Sequence, residues 1–185
     1  MLESLRRSIG TRMARFHFRS SREQVISFGH SIATSDRVLV VMPLTAQEEK
    51  GQSRVLVFLR EHFYEPDITV IAPREGTPVE RSLPRCRVLR IGPGDISAFF
   101  QPRRTFLAGI GERTYDLAID LNLDFLMPSA YICKASNARV RTGFAALHAD
   151  TFFNFQIRVE GSPDSAHAYD RLVQCLQMFF RAEGV

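Results

Sequence analysis

Five successive apolar residues, Val38-Leu39-Val40-Val41-Met42, constrain this chain more than any other feature. A strand with one wet face alternates apolar and polar positions; a strand covered on both faces reads as a continuous, β-branched run. Cover on both faces means helices above and below, and hence a parallel sheet joined by crossover helices. The following residues fit that demand. Thr45 and Glu48 form a T-x-x-E capping box, opening a helix that carries Val55, Leu56, Phe58, Leu59 and Phe63 at helical spacing. Ile68–Ala72 reads as a second strand closed by Pro73, and Arg87–Ile91 as a third closed by Gly92-Pro93-Gly94.

A short helical piece at Asp95–Phe100 and a longer one near Pro102–Gly111 lead to a fourth strand, Asp116–Leu121. Phe125–Ala135 reads as a helix, and Arg139–Phe144 and Phe153–Val159 as the last strands. Ser162 reads as a cap for the final helix, with Pro163 at its first position and Asp164 in its first turn. Tyr169, Leu172, Val173, Leu176, Phe179 and Phe180 form that helix's buried stripe. The Pro/Gly/Arg-rich stretch Pro73–Pro84 reads as a long loop. The expected fold is α/β: a Rossmann-like open, mostly parallel sheet with helices on both faces, over residues 25–185. Val38–Met42 and Leu117–Asp120 should be adjacent central strands, because both are almost continuously apolar.

Composition narrows the function classes. With 45% apolar and 24% charged residues in a chain of 185, one well-buried domain is expected. No apolar run approaches the roughly 20 residues that span a bilayer, and no apolar stretch follows Arg6 and Arg7 as in a secretory leader. A cytoplasmic protein is expected. Cys86, Cys133 and Cys175 are too few and too scattered for a disulfide framework or a zinc site. The five histidines lack ligand spacing, so no metal and no cofactor is expected.

The charge has one location. Residues 1–24 hold six arginines (Arg6, Arg7, Arg12, Arg15, Arg19, Arg22) against Glu3 and Glu23, which accounts for the whole net charge of +4. The rest of the chain is neutral, so no specific nucleic-acid surface is expected on the domain. Within that segment Leu2, Leu5, Ile9, Met13 and Phe16 share one helical stripe. The segment reads as a basic amphipathic helix interrupted near Gly10. Its stripe is expected to pack on the domain while arginine heads reach water; the competing reading is a membrane-surface or partner-binding arm through residues 1–19.

Taken in order, RVLVVMP (Arg37–Pro43), REHF (Arg60–Phe63), DITVIAP (Asp67–Pro73), YDLAIDL (Tyr115–Leu121) and ASNARVRTGF (Ala135–Phe144) resemble a known series. It is that of the N-terminal half of the family-nine glycosyltransferases, the ADP-heptose:lipopolysaccharide heptosyltransferase type. The resemblance covers roughly Arg37 to Phe144, and the ending FNFQIRV plus a helix is similar to short bacterial proteins that keep this half alone. It implies one half of a two-domain GT-B fold, the half that holds the acceptor. The family's first loop carries a Gly-Asp pair whose aspartate is the proposed base. Here that loop reads Met42-Pro43-Leu44-Thr45-Ala46-Gln47-Glu48-Glu49, with Glu48 its nearest carboxylate. The donor-binding half would begin where this chain stops. The resemblance therefore implies a binding or scaffold module without catalytic residues. The alternatives are an acceptor half that needs a donor-binding partner chain or assembles as a homo-oligomer, and a peripheral membrane adaptor.

In an open parallel sheet ligands lie at the carboxyl ends of the strands, where strand order reverses. For an order 3-2-1-4-5-6 the candidate crevice consists of Pro43, Leu44, Thr45 and Glu48 after the first strand and Asn122 and Asp124 after the fourth. The same residue types also serve as helix caps and strand ends. Gly92-Pro93-Gly94-Asp95 lacks the spacing of a phosphate loop and reads as a turn. Arg81, Arg85, Arg87, Arg90, Arg103 and Arg104 read as a solvated rim, since arginine outnumbers lysine 22 to 2 throughout.

Overall fold

A computed structural model describes residues 2–19, 25–45, 49–76, 79–159 and 165–182. In chain order these form α1 (Leu2–Phe18), α2 (Phe28–Ala33), β1 (Val38–Val41), α3 (Glu49–His62), β2 (Ile68–Pro73), β3 (Arg87–Ile91), α4 (Arg104–Gly111), β4 (Leu117–Asp120), α5 (Met127–Ala135), β5 (Val140–Phe144), β6 (Phe155–Ile157) and α6 (Ser165–Ala182). The six strands make one sheet in the order β3-β2-β1-β4-β5-β6, and every pairing is parallel. As expected, β1 and β4 are adjacent and central, with Val38 opposite Leu117 and Val41 opposite Asp120.

Strand pleating sorts the core into two layers. Val38, Val40, Ile68, Val70, Leu117, Ile119 and Val140 face α3 and α6, where Val55, Phe58, Leu59, Tyr169, Leu172 and Leu176 meet them. Leu39, Val41, Ile71 and Ala118 face the other way, against Ile110, Met127, Ala130, Ile132, Phe152 and Phe153. The uninterrupted apolar runs of β1 and β2 follow from this double cover.

Several boundaries differ from the sequence reading. Asp95–Phe100 is not helical: Pro93–Asp95 makes a single 3-10 turn, and Ile96 then bridges to Pro102. The last strand shortens to Phe155–Ile157, and the loop before β3 folds a 3-10 turn at Val79–Arg81 that buries Val79 and Leu83. The six-residue α2 was not anticipated; its length gives periodicity too little to work on. Glu48 of the capping box and the cap Ser162-Pro163-Asp164 lie outside the described residues.

The larger correction concerns α1. It runs unbroken through Gly10, and its apolar stripe does not pack on the domain. Leu2, Leu5, Ile9, Met13 and Phe16 are 71%, 57%, 37%, 49% and 76% exposed. The docking face is the small-residue one, where Gly10 and Ala14 are buried. Gly10 approaches so closely that a Cβ there would overlap the Phe99 carbonyl oxygen. The Gln101 side-chain amide donates to the Gly10 carbonyl at 2.9 Å, and the Arg7 guanidinium lies 4.8 Å from the centre of the Phe100 ring. At the far end the Phe18 ring packs tilted against Tyr131 and edge-on against Phe152, with ring centres 4.9 and 6.1 Å away.

Candidate functional site

The loops after β1 and β4 leave the sheet towards opposite layers, because α3 covers one face and α5 the other. This is the reversal point at which open α/β sheets hold ligands. Here it brings Pro43, Leu44 and Asn122 together and leaves Thr45 and Asp124 exposed at the rim. Glu48 falls outside the described residues.

Asn122 closes the crevice. Its Oδ1 accepts from the Leu44 amide at 2.8 Å, and its Nδ2 donates to Asp120 Oδ1 at 2.6 Å, with the Met42 carbonyl at 3.4 Å. Its backbone N–H also donates to Asp120 Oδ1, at 3.0 Å. One side-chain amide thus ties the two loops to each other and to the end of β4. Leu44, released from the strand, turns into the apolar cluster beside α5. From the opposite layer the Tyr169 hydroxyl donates to the Leu121 carbonyl at 2.8 Å, so the β4 loop is held on both sides.

Asp120 ends β4 on the α5 side and is 3% exposed. Burial pushes its carboxyl up to about 6, against the hydrogen bonds from Asn122 and Ser129 that favour the charged form. Burial likewise pushes the Cys133 thiol and the Tyr169 phenol up, and the Asp120 charge adds to both. A carboxylate in this state can bind a proton near neutral pH, but its Oδ1 is occupied by Asn122 and the side chain is buried.

Motif residues farther along have structural partners too. Arg141 is buried on β5 and donates to the Ala138 carbonyl at 2.7 Å and the Phe152 carbonyl at 3.0 Å. Asn154 receives the Arg141 amide at 2.8 Å and returns a bond to the Arg139 carbonyl at 2.9 Å. Gly143 leaves space for the Phe153 ring, which a Cβ would meet at 2.9 Å. Three of the rim arginines are ion-paired: Arg85 with Glu65, and, on opposite faces of β3, Arg87 with Glu112 and Arg90 with Glu80.

A cleft missed by the sequence reading lies at the other end of the sheet. It encloses about 370 Å³ between Ser35, Asp36, Arg37, His62, Tyr64, Asp67, Thr114 and Asp116. Asp116 Oδ2 accepts from the Asp36 and Arg37 amides at 3.1 and 3.0 Å, and Arg37 donates to Thr114 Oγ1 at 3.0 Å. These bonds join the chain entering β1 to the chain entering β4. Among the described residues no group of histidine, cysteine, aspartate and glutamate is disposed to hold a metal ion. No helix among them is long and apolar enough to cross a membrane. Compared with protein-family models, curated proteins and solved structures, the chain has no match.

Proposed function

We propose that this chain is a cytoplasmic binding or scaffold module of the heptosyltransferase N-terminal type, and that it performs no sugar transfer of its own. The state of the crevice carries this reading: the buried polar groups at the reversal point, Asp120 and Asn122, are engaged with each other and with the loop of β1. A general base must reach the proton it removes, within hydrogen-bond distance or through one water. Asp120 is buried with its Oδ1 taken by Asn122, and Asp124 stands exposed at the rim. The placement of the resemblance's segments adds support. Arg37–Pro43, Asp67–Pro73, Tyr115–Leu121 and Ala135–Phe144 contain β1, β2, β4 and β5 in that order. Fold alone supplies no activity; the site does.

Titration calorimetry with ADP-, UDP- and GDP-linked sugars tests the reading. The expected result is no binding tighter than about 1 mM. Micromolar binding that weakens in Thr45→Ala or Asp124→Ala would replace it with that of a transferase half awaiting a partner chain.

A further inference from the structure

We propose that α1 is a membrane-surface helix: it lays its apolar stripe on an anionic bilayer while its opposite face stays docked on the domain. This goes beyond the crevice reading and does not depend on it. The first observation is the orientation already described. Five large apolar side chains on one stripe point to water, although the same 17-residue helix buries Gly10 and Ala14 against the domain. An apolar stripe that merely lacked a place in the core would be expected on a detached segment. This one is held outward by the Gly10 contact with Phe99, the Gln101 bond and the tilted contact of Phe18 with Tyr131.

The second observation is charge. At about 100° per residue, Arg12 and Arg19 run along one edge of the stripe and Arg6 along the other. Glu3, the helix's one carboxylate, is taken by Arg7 at 2.8 Å. Among the described residues no carboxylate pairs with Arg6, Arg12, Arg15 or Arg19. At the C-terminal end, Arg15, Phe16, Arg19 and Thr151 line an open notch of about 450 Å³. Two guanidiniums one helical turn apart suit a phosphate oxygen, and Phe16 beside them suits the acyl boundary below it. Apolar residues flanked by basic ones are what an interfacial helix needs: the stripe enters the headgroup layer and the arginines meet anionic lipid.

Other occupants satisfy less of this surface. A second copy meeting stripe to stripe about a two-fold axis would bring the arginines that edge one stripe, Arg6, Arg12 and Arg19, towards the arginines that edge the other. A nucleic acid would engage the arginines and leave the five apolar side chains in water.

The test is flotation of the full-length protein with vesicles of phosphatidylcholine alone and of phosphatidylcholine with phosphatidylglycerol, at low and high salt. The expected result is binding to the anionic vesicles only, weakened at least tenfold by high salt. Leu5→Ser/Phe16→Ser and Arg12→Gln/Arg15→Gln should each weaken it at least tenfold with unchanged melting midpoints, since all four side chains are exposed. Four results would overturn the proposal. These are equal binding to neutral vesicles, no binding to either kind, a dimer in sedimentation that Phe16→Ser dissolves, and RNA binding that the apolar variant leaves intact.

Discussion

A side-chain amide offers two donor hydrogens and a carbonyl oxygen, and Asn122 commits them across an interval of 78 to 80 residues, to Leu44 and Met42 as well as to Asp120. The sequence reading placed Asn122 at the crevice but offered it to a ligand. Nothing in the spacing of a chain announces a partner so distant, so its location was legible and its task was not. Asn122→Ala leaves the Leu44 amide and a buried carboxylate short of partners, and stability should fall by about 2 kcal/mol in urea denaturation. Asp124→Ala, at the exposed rim, should stay within about 0.5 kcal/mol. Asp120 gives a second prediction at this scale. Its folded-state value of about 6 lies above that of an unfolded carboxyl, roughly 3.9. The folded chain therefore holds the proton more tightly. The stability this adds is complete below the unfolded value and is lost as pH rises through about 6. Asp120→Asn keeps an oxygen for Asn122 but has nothing to titrate. Wild type should gain about 2 kcal/mol on the variant between pH 7.5 and pH 4.5. A difference that stays flat across that range would show that the carboxyl is not buried as described.

Elements are where the sequence spoke most clearly and then stopped. The continuous apolar runs of β1 and β4 and the helical period of α6 pointed to strands and a helix because each element buries its apolar residues. The same logic identified α1 as a helix and then assigned its stripe to the core. A hydrophobic pattern defines a face; it does not say what that face meets. The deciding residue was Gly10, read as an interruption. In an isolated helix glycine costs about 1 kcal/mol relative to alanine, so breaking there was the reasonable expectation. In the folded chain the missing Cβ is what lets the helix backbone reach Phe99. Gly10→Ala therefore tests the docking against the helix's intrinsic preference. Were α1 loosely attached, alanine would raise the melting temperature slightly. With the close contact, overpacking of about 2 kcal/mol should lower it by about 4–8 °C. Hydrogen exchange should quicken in α1 and leave β1 and β4 protected.

The whole molecule is a sheet with two covered faces, and its covers are unequal in what they contribute. The parallel sheet and the central place of β1 beside β4 were readable because buried parallel strands have no polar alternation. The division of labour between the two chain ends was not. α1 touches the layer beside α5 through Ala14 and Phe18, at the edge of a core that β1, β4 and α5 already close. α6, by contrast, lies over the centre of the opposite face. Tyr169, Leu172 and Leu176 are fully buried there, and Val173, Phe179 and Phe180 half so. At about 2 kcal/mol for each buried side chain, with the Tyr169 bond to Leu121 added, α6 contributes an amount comparable to a domain's whole stability of about 5–15 kcal/mol. Its removal would also bare Phe144 and Phe155 of the sheet, which Tyr169 and Phe179 meet. A chain lacking residues 1–19 should therefore still unfold in one cooperative transition, with a midpoint lowered by several degrees. A chain lacking residues 160–185 should show no cooperative transition in calorimetry or circular dichroism. A sharp melt from the second chain, within a few degrees of the full-length protein, would mean that α3 alone can cover that face and that this account of the core is wrong.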